Sequence, residues 1–321
     1  MHKNKMMSVS LRPTNLSDFK GKSELKDNLN IYLKSCLAQK KALDHCLLYG
    51  LPGTGKTSLA HIIANELHRH IRVVQGSSVQ KNIDVINLAM TLNEFDILFI
   101  DEIHAINANC VELLYSIMED FVIDIALGKD FNSKITRIHV PQFTLIGATT
   151  LLGKIPQPLE ERFGIVFNIK TYELNDLVEI IKTSQTKLGL QLSDKELKLL
   201  AENCKGIPRN ANRLIKRVKD FRISSDKISV KYILKKLQII DDGLDVEDLN
   251  YLQSIKDAKR SLGLKTISQM INVDSYTVET KIEPFLLQKQ YVHKTIGGRE
   301  ITTKGMKFLN KYVNANKQEG V

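Results

Sequence analysis

The chain has 321 residues, a net charge of +10 and a hydrophobic fraction of 43%, so we expect two or three domains and enough apolar side chains for a large core. No apolar stretch is typical of a signal peptide or long enough to span a bilayer, which argues against secreted and membrane-spanning classes. Four scattered cysteines without a CxxC pair predict reduced core residues in a cytoplasmic protein. The basic excess, concentrated in residues 171–240, is typical of a protein with a polyanionic partner such as nucleic acid and equally of a lysine-rich exposed surface.

The first predicted element is a helix over residues 23–40. Pro13 and Gly21 precede it, in a stretch that predicts extended or turning backbone. Ser23 is the expected N-cap. The apolar face is predicted to comprise Leu25, Leu29, Tyr32, Leu33, Cys36 and Leu37.

A glycine-rich motif, GLPGTGKT at residues 50–57, follows a short apolar run and precedes an amphipathic pattern. It fits G-x-x-x-x-G-K-[ST] between a strand and a helix, the context in which this motif binds phosphate. Backbone N–H groups and the helix N-terminus supply the positive potential. A chance glycine turn is the alternative, which the agreement of motif, strand and helix disfavours. Lys56 is expected to reach the β- and γ-phosphates and Thr57 to hold Mg²⁺. The predicted cradle is Gly50, Gly53, Gly55, Lys56, Thr57 and Ser58.

Two acidic residues end the third predicted strand. A second strand is expected at residues 71–75 and the third at 97–100, directly before Asp101 and Glu102. The carboxyl ends of parallel strands form the edge where ligands bind in open α/β sheets. We therefore expect Asp101 to hold Mg²⁺, mostly through water, and Glu102 to polarise an attacking water. Without the phosphate loop upstream, a helix N-cap would explain this pair as well.

A predicted β-hairpin follows the helix over residues 110–120, whose inward positions are Val111, Leu114 and Met118. Apolar residues alternate on both sides of a turn at Gly128, Lys129 and Asp130, which is typical of a hairpin. Its apolar face is large for an insertion. Packing on its own domain and docking of a partner explain this face equally well.

The fourth strand, predicted at residues 143–147, leads into two threonines. Thr149 and Thr150 would lie between the phosphate loop and Asp101, where either could sense the γ-phosphate; a plain strand-end turn is the alternative. Arg162 precedes a fifth strand at residues 165–169. Its distance along the chain from the phosphate loop suggests an arginine finger that reaches a neighbouring subunit's nucleotide, although an isolated arginine more often forms a surface ion pair.

Residues 172–237 predict a small helical bundle. Pro208 is expected at the first position of one helix. Arg209 at that helix start could contact a nucleotide held between two domains. The remaining basic residues of the helix (Arg213, Lys216, Arg217 and Lys219) predict a solvated face.

The last segment shows a winged-helix pattern after an expected linker, DDGLD at residues 241–245. Helices are predicted at residues 267–271 and 275–282, a further helical turn at Pro284, and then a hairpin around Gly297 and Gly298. Lys294 and Arg299 flank the tip of this wing, where DNA phosphates would lie. A protein-interaction module of the same fold is the alternative.

The whole chain resembles the RuvB family, AAA+ motors that drive branch migration of Holliday junctions. The resemblance covers about residues 8–309 and is carried by motifs in family order: SLRP, LDHCLLYGLPGTGKTSLA, FIDEIH, MEDFVIDI, FTLIGATT, ERFGIV, PRNANRL, DDGLD and EPFLLQ. It implies an α/β fold in which an AAA+ P-loop NTPase domain with a parallel sheet (residues 1–170) is followed by a small helical lid domain (171–240) and a winged-helix domain (241–321).

The resemblance also implies site residues and partners. ATP contacts carry over to Leu11, Arg12, Gly53, Lys56, Thr57, Ser58, Glu119, Asp120, Phe121, Tyr172 and Arg209, the last as second sensor. Thr149 or Thr150 becomes the first sensor and Arg162 the trans-acting finger. The hairpin at residues 122–140 matches the element that docks on RuvA, so the resemblance favours docking of a partner over packing of the hairpin on its own domain. DNA contacts carry over to Lys294 and Arg299. Implied partners are double-stranded DNA, Holliday junctions, a RuvA-like protein, a RuvC-like resolvase and five further copies in a hexamer, with ATP and Mg²⁺ as cofactors.

Several positions depart from the family pattern. Leu51 replaces a usual proline, Leu151 a usual arginine, and Glu160 reverses a charge in the segment before Arg162, so the subunit interface is expected to differ in detail. In the winged domain the usual GGPVGL stretch reads RSLGL, and the wing reads TIGGR instead of TPRGR, losing one arginine at Gly297. The prediction is an ATP-driven DNA translocase. A clamp-loader-like AAA+ ATPase and an ATP-switched winged-helix DNA-binding protein are the rivals.

Overall fold

The computed structural model describes residues 10–127, 134–225 and 228–319. One compact unit comprises the described residues up to Gln191 together with Gly206–Arg213, and the other comprises Leu192–Lys205 together with the described residues from Leu214 onward. Within the described ranges, no helix is both long and apolar enough to cross a membrane. The division into three domains at residues 170 and 240 stays a prediction.

The first unit is built on a parallel five-stranded sheet. Its helices and strands are α1 (Ser23–Gln39), β1 (Cys46–Tyr49), α2 (Lys56–Glu66), β2 (Ile71–Gln75), α3 (Asn82–Met90), β3 (Ile97–Asp101), α4 (Ala108–Glu119), β4 (Val122–Leu127), β5 (Lys134–His139), β6 (Thr144–Thr149), α5 (Gln157–Glu160), β7 (Ile165–Asn168) and α6 (Leu174–Leu188). The sheet order is β2-β3-β6-β1-β7. Strands β1, β3 and β6 are buried along nearly their whole length, as expected for the inner strands of a parallel sheet covered on both faces. Edge strand β2 leaves Val73 45% exposed.

Helix α1 begins one residue earlier than the capping prediction implies. Lys22 is the N-cap, with φ of 55° and no side-chain cap, so the prediction that Ser23 caps the helix is wrong. The chain turns sharply there because Gly21 and Lys22 both have positive φ. On the predicted apolar face, Leu29, Leu33 and Cys36 are buried, whereas Tyr32 and Leu37 are exposed.

The predicted hairpin forms from β4 and β5, paired antiparallel from Val122 opposite His139 to Leu127 opposite Lys134. Arg137 donates two hydrogen bonds of 2.8 Å to Asp124 across the strands. At its base Ile123 is fully buried in the core of the first unit. The predicted turn at Gly128, Lys129 and Asp130 lies outside the described residues.

The second unit combines lid helices with a winged helix. Its elements are α7 (Asp194–Glu202), α8 (Pro208–Ser224, whose first residues belong to the first unit), α9 (Val230–Lys236), α10 (Val246–Ala258), α11 (Leu264–Ile271), α12 (Ser275–Thr277), α13 (Glu283–Gln288), β8 (Val292–Thr295), β9 (Gly298–Ile301) and α14 (Thr303–Glu319). A π-helical turn at Val278–Ile282 lies between α12 and α13. The widened turn ends two residues before Pro284, which lacks an N–H group.

The segment DDGLD, predicted to be a linker, is held in place by hydrogen bonds. Asp242 accepts hydrogen bonds from Lys289 (2.7 Å) and from the hydroxyl of Tyr291. Gly243 N donates to the side chain of Asn203, in the lid. Lys205, also in the lid, pairs with the buried Asp248 of α10, and burial raises the pKa of this carboxyl to about 6. These contacts hold the winged helix against the lid helices of the same unit.

Candidate functional site

The glycine-rich loop between β1 and α2 has the backbone that the sequence predicted. Gly50, Gly53 and Gly55 all have positive φ, at 148°, 82° and 111°, and this conformation favours glycine. A Cβ at Gly50 would also lie 2.3 Å from Ile169 O. Lys56 is 6% exposed, and its Nζ donates to Gly50 O at 2.8 Å and Leu51 O at 3.1 Å. Burial lowers the pKa of this ammonium, against the opposing effect of nearby carboxylates.

The acidic residues at the end of β3 lie beside this loop. Thr57 Oγ1 donates to Asp101 Oδ2 at 3.3 Å, and Glu102 N donates to Asp101 Oδ1 at 3.1 Å. Glu102 itself has a left-handed φ of 51°, which turns the chain sharply after the strand. A hydroxyl and a carboxylate are oxygen ligands of the kind Mg²⁺ takes while keeping several waters. In the described part of the chain, no group of three or more His, Cys, Asp or Glu residues forms a metal cluster.

Thr149 and Thr150 take different partners at the end of β6. Thr150 donates to Glu102 Oε2 from its hydroxyl (3.0 Å) and its backbone N–H (3.2 Å). Thr149 is fully buried, and its hydroxyl accepts Leu151 N and contacts His104 Nδ1, each at 2.9 Å. Of the two candidates for first sensor, only Thr150 contacts Glu102 in this way.

Sequence reasoning missed His104. Its Nδ1 lies 3.3 Å from Glu102 Oε2 and 2.9 Å from Thr149 Oγ1, so the ring bridges the ends of β3 and β6. The available signal was the FIDEIH motif, where the histidine lies two residues after the glutamate. This motif supports the resemblance to the family, but the motif alone assigns the histidine no role.

Two residues from beyond the sheet close over the glycine loop. Arg209 N donates to Gly53 O at 3.3 Å, and a Cβ at Gly53 would lie 2.8 Å from Arg209 Cβ. Tyr172 donates its N–H to Gly206 O at 2.8 Å, and its hydroxyl lies 3.6 Å from the position of a Cβ at Gly55. The predicted second sensor and Tyr172 are therefore adjacent to the loop.

The N-terminal segment packs along α2, whose first turn carries the half-buried Ser58. Leu16 N donates to Glu66 Oε1 at 2.9 Å, and Asn65 Nδ2 donates to Thr14 O at 2.8 Å. Leu11 is half-buried and Arg12 exposed. Burial lowers the pKa of His61 on α2, and the charge of Arg12 lowers it further. This segment therefore lies on the helix that starts at the glycine loop.

The other predicted ATP contacts lie at the opposite edge of the sheet. Phe121 packs against His45 at a tilt and against Phe143 edge-on, with ring centroids at 6.2 and 5.9 Å, and these two residues precede β1 and β6. Arg162 donates to Glu119 Oε2 at 2.9 Å and to Pro158 O at 2.8 Å. Glu119 and Asp120 end α4 directly before Phe121. Strands of four to six residues at about 3.3 Å per residue separate this group from the glycine loop. The two groups therefore lie at opposite ends of the strands of one chain.

The two predicted DNA-contacting residues of the wing, Lys294 and Arg299, both pair with one buried carboxylate. Glu283, 1% exposed, accepts Arg299 Nε at 2.8 Å and Arg299 Nη2 at 3.2 Å. Lys294 Nζ lies 3.0 Å from its Oε2, and the hydroxyl of Tyr251 donates to its Oε1 at 2.9 Å. At the tip, Ile296 is fully exposed.

Three family models together match most of the chain. They are described as the Holliday junction DNA helicase RuvB P-loop domain (residues 11–169), the RuvB AAA lid domain (172–243) and the RuvB C-terminal winged helix domain (241–310). These matches confirm the predicted fold class.

Relatives that match nearly the whole chain indicate the same family. The chain is 51% identical over 299 residues to the Holliday junction branch migration complex subunit RuvB of Ureaplasma urealyticum, covering 93% of this chain and 96% of the relative. It is 42% identical to the protein of the same name from Mycoplasmopsis pulmonis, covering 94% and 98%. The solved Thermotoga maritima RuvB branch migration motor is similar with a TM-score of 0.82 and 36% identity, covering 94% of this chain and 98% of that chain. The chain therefore belongs to the RuvB family and is a nucleotide-binding P-loop ATPase.

Proposed function

We propose that this protein is the ATP-driven motor that moves along double-stranded DNA and drives branch migration of Holliday junctions in recombination and DNA repair. The main support for this proposal is that the predicted ATP-site residues lie in two groups, one at each end of the strands of a single sheet. The glycine loop, Asp101, Glu102 and Arg209 gather at one edge, while Glu119 and Arg162 lie at the other. A head-to-tail ring joins the two edges of neighbouring subunits, and we propose six subunits.

Each residue of the first edge has a distinct task in hydrolysis. Lys56 neutralises the β- and γ-phosphates, and Glu102, oriented by Thr150, takes the proton of the attacking water. Thr57 and Asp101 would hold Mg²⁺, which supplies charge neutralisation at the phosphates. Leu11, Arg12, Ser58 and Tyr172 line the nucleotide, and Arg209 connects its phosphates to the lid. From the neighbour, Glu119, Asp120 and Phe121 contact the nucleotide and Arg162 stabilises the charge of the transition state.

Each round of ATP hydrolysis moves DNA. The winged domains grip backbone phosphates without reading bases, which suits a motor that must pass any sequence. The curated relatives are named as subunits of a branch migration complex, which supports a RuvA-like partner on the hairpin of β4 and β5 and a RuvC-like resolvase acting afterwards. The four cysteines are buried and form no disulfide, which fits a protein that acts on DNA in the cytoplasm.

The test is branch migration by the Glu102→Gln variant, with and without a RuvA-like protein and at several salt concentrations. We expect ATP binding to persist and hydrolysis to fall by about 100-fold or more, because the base is lost. Junction migration should stop with it. Nucleotide binding is measured by equilibrium titration and migration with a synthetic four-way junction.

Glu94→Gln is the matched control, because it makes the same change at an exposed turn before β3. It should leave hydrolysis and migration at the parent rate. If Glu102→Gln also migrates junctions at the parent rate, the motor mechanism is wrong and an ATP-switched DNA-binding protein explains the fold better.

A further inference from the structure

We propose that His104 is a positioning residue for ATP hydrolysis: it holds one carboxylate oxygen of Glu102, the base proposed above, so that the other oxygen takes the proton of the attacking water. In this step the water oxygen bonds to the γ-phosphorus and the bond from that phosphorus to the β-phosphate oxygen breaks. The proton of the water passes to Glu102 Oε1.

The two carboxylate oxygens of Glu102 have different surroundings. Oε2 accepts from the hydroxyl of Thr150 at 3.0 Å and from Thr150 N at 3.2 Å, and His104 Nδ1 lies 3.3 Å from the same oxygen. Among the described residues, none donates a hydrogen bond to Oε1. Because the side chain of Glu102 is 38% exposed, water can reach it. Oε2 is therefore the oxygen that is held, and Oε1 is the oxygen available as a base.

The imidazole of His104 presents an N–H group to this carboxylate. A carboxylate oxygen only accepts hydrogen bonds, so the Nδ1 atom beside it carries the hydrogen. Thr149 Oγ1 lies 2.9 Å from Nδ1 and also accepts Leu151 N at 2.9 Å. Thr149 is fully buried, and the His104 side chain is only 14% exposed. The ring is therefore confined between the end of β6 and the carboxylate.

The backbone that carries His104 is fixed as well. Ile103–Ala105 form one short helical turn directly after Glu102, and Ala105 N donates to Glu102 O at 2.8 Å. A Cβ at Gly76 would lie 2.3 Å from the same carbonyl oxygen, so the chain after β2 packs directly against this turn. A donor held in this way before the substrate binds needs no reorganisation during the reaction.

His104 and Thr150 hold the carboxylate from two different strands. His104 follows β3 and Thr150 follows β6, and these strands pair in the sheet. A carboxylate bonded to one residue can turn about that contact, whereas donors on two elements fix its orientation. Loss of His104 should therefore slow hydrolysis without abolishing it, because Thr150 still holds Oε2.

The experiment compares single-turnover ATP hydrolysis and equilibrium ATP binding between the full-length protein and three variants at His104. His104→Leu removes the N–H group and should slow hydrolysis by about 10-fold, because Glu102 loses orientation, with the Kd for ATP near the parent value. His104→Asn places an amide N–H at the same distance along the side chain as Nδ1 and should restore most of the rate. His104→Gln places its amide one bond farther out and should stay as slow as His104→Leu.

Two further proteins control for unrelated effects. His70→Leu makes the same change at an exposed position directly before β2 and should hydrolyse ATP at the parent rate. In the Glu102→Gln background the base is already absent, so adding His104→Leu should cause no further loss. A purely structural effect of His104→Leu would instead lower the rate by the same factor in both backgrounds.

Three results would overturn the inference: His104→Leu keeps the parent rate, His104→Leu slows Glu102→Gln by the same factor as it slows the parent, or His104→Asn is no faster than His104→Gln. Failure of the proposed function gives a different result. A Glu102→Gln protein that hydrolyses ATP at the parent rate would refute the proposed base, and the inference with it.

Discussion

Two adjacent threonines at the end of β6 place their hydroxyl groups on different partners. The hydroxyl of Thr150 orients the carboxylate of Glu102, whereas that of Thr149 satisfies Leu151 N and His104 inside the unit. A buried donor that loses its acceptor costs about 1–3 kcal/mol. The two positions should therefore respond differently to the same substitution.

Thr150→Val should lower kcat for ATP hydrolysis by about 10- to 100-fold, because Glu102 loses an orienting bond, and leave the thermal midpoint near that of the parent. Thr149→Val should instead destabilise the protein by about 1–3 kcal/mol. Steady-state ATPase rates and thermal denaturation measure both. Thr150→Ser keeps the hydroxyl and should restore the rate. A Thr150→Val protein with parent kcat would exclude the orienting role.

At this scale the sequence predicts residue types better than contacts. Glycines with positive φ, Lys56 and the acids after β3 could all be predicted because a local motif specifies them. The bridge from His104 to Thr149 could not, since these residues are separated along the chain and meet only because β3 and β6 pair in the sheet.

The strands of the wing could be predicted from the sequence, but the packing of the wing could not. Its two strands could be predicted from alternation and a glycine pair, and they form with Lys294 opposite Arg299. Their attachment to Glu283 could not be predicted, because it depends on where α13 packs. The contacts that hold the linker at residues 241–245 could not be predicted for the same reason, because their partners lie far along the chain.

Glu283→Gln should destabilise the wing by about 2 kcal/mol at neutral pH, as expected for losing hydrogen bonds to a charged group. Burial raises the pKa of Glu283, but bonds from Arg299, Lys294 and Tyr251 outweigh it, so the net pKa is lowered. A carboxyl with a lowered folded pKa stabilises the fold above its unfolded pKa and loses this effect as pH falls.

The midpoint difference between the parent and Glu283→Gln should therefore stay constant from neutral pH to about pH 5 and shrink below it. Thermal denaturation at a series of pH values gives this difference directly. A difference that grows on acidification would contradict the lowered pKa of Glu283.

The residues of the proposed ATP site lie in two groups in the whole molecule. The glycine loop and the proposed base Glu102 lie at the carboxyl ends of the strands, and Arg162, paired with Glu119, lies at the other end. The parallel topology follows from the sequence, because buried apolar runs alternate with helices. We propose that the two groups of residues meet at the interface between neighbouring subunits, and mixing of variants tests this proposal.

Arg162→Ala and Lys56→Ala should each be nearly inactive in ATP hydrolysis. Mixed rings should regain part of the activity, because some interfaces then combine an intact Lys56 from one subunit with an intact Arg162 from the next. Hydrolysis is measured against mixing ratio, after sedimentation shows that both variants assemble. Mixtures that stay as inactive as their components would exclude completion of the site by a neighbour.

In the ring that we propose, two neighbouring chains complete each ATP site, so the rate of hydrolysis depends on assembly. An open row of subunits always ends in one cradle without its arginine, so its turnover per chain is lower than that of a closed ring. Dilution should therefore reduce ATPase activity more steeply than protein concentration, even when every molecule remains folded and saturated with nucleotide. In the proposed ring, the five-stranded sheet of each subunit would connect one nucleotide to the next.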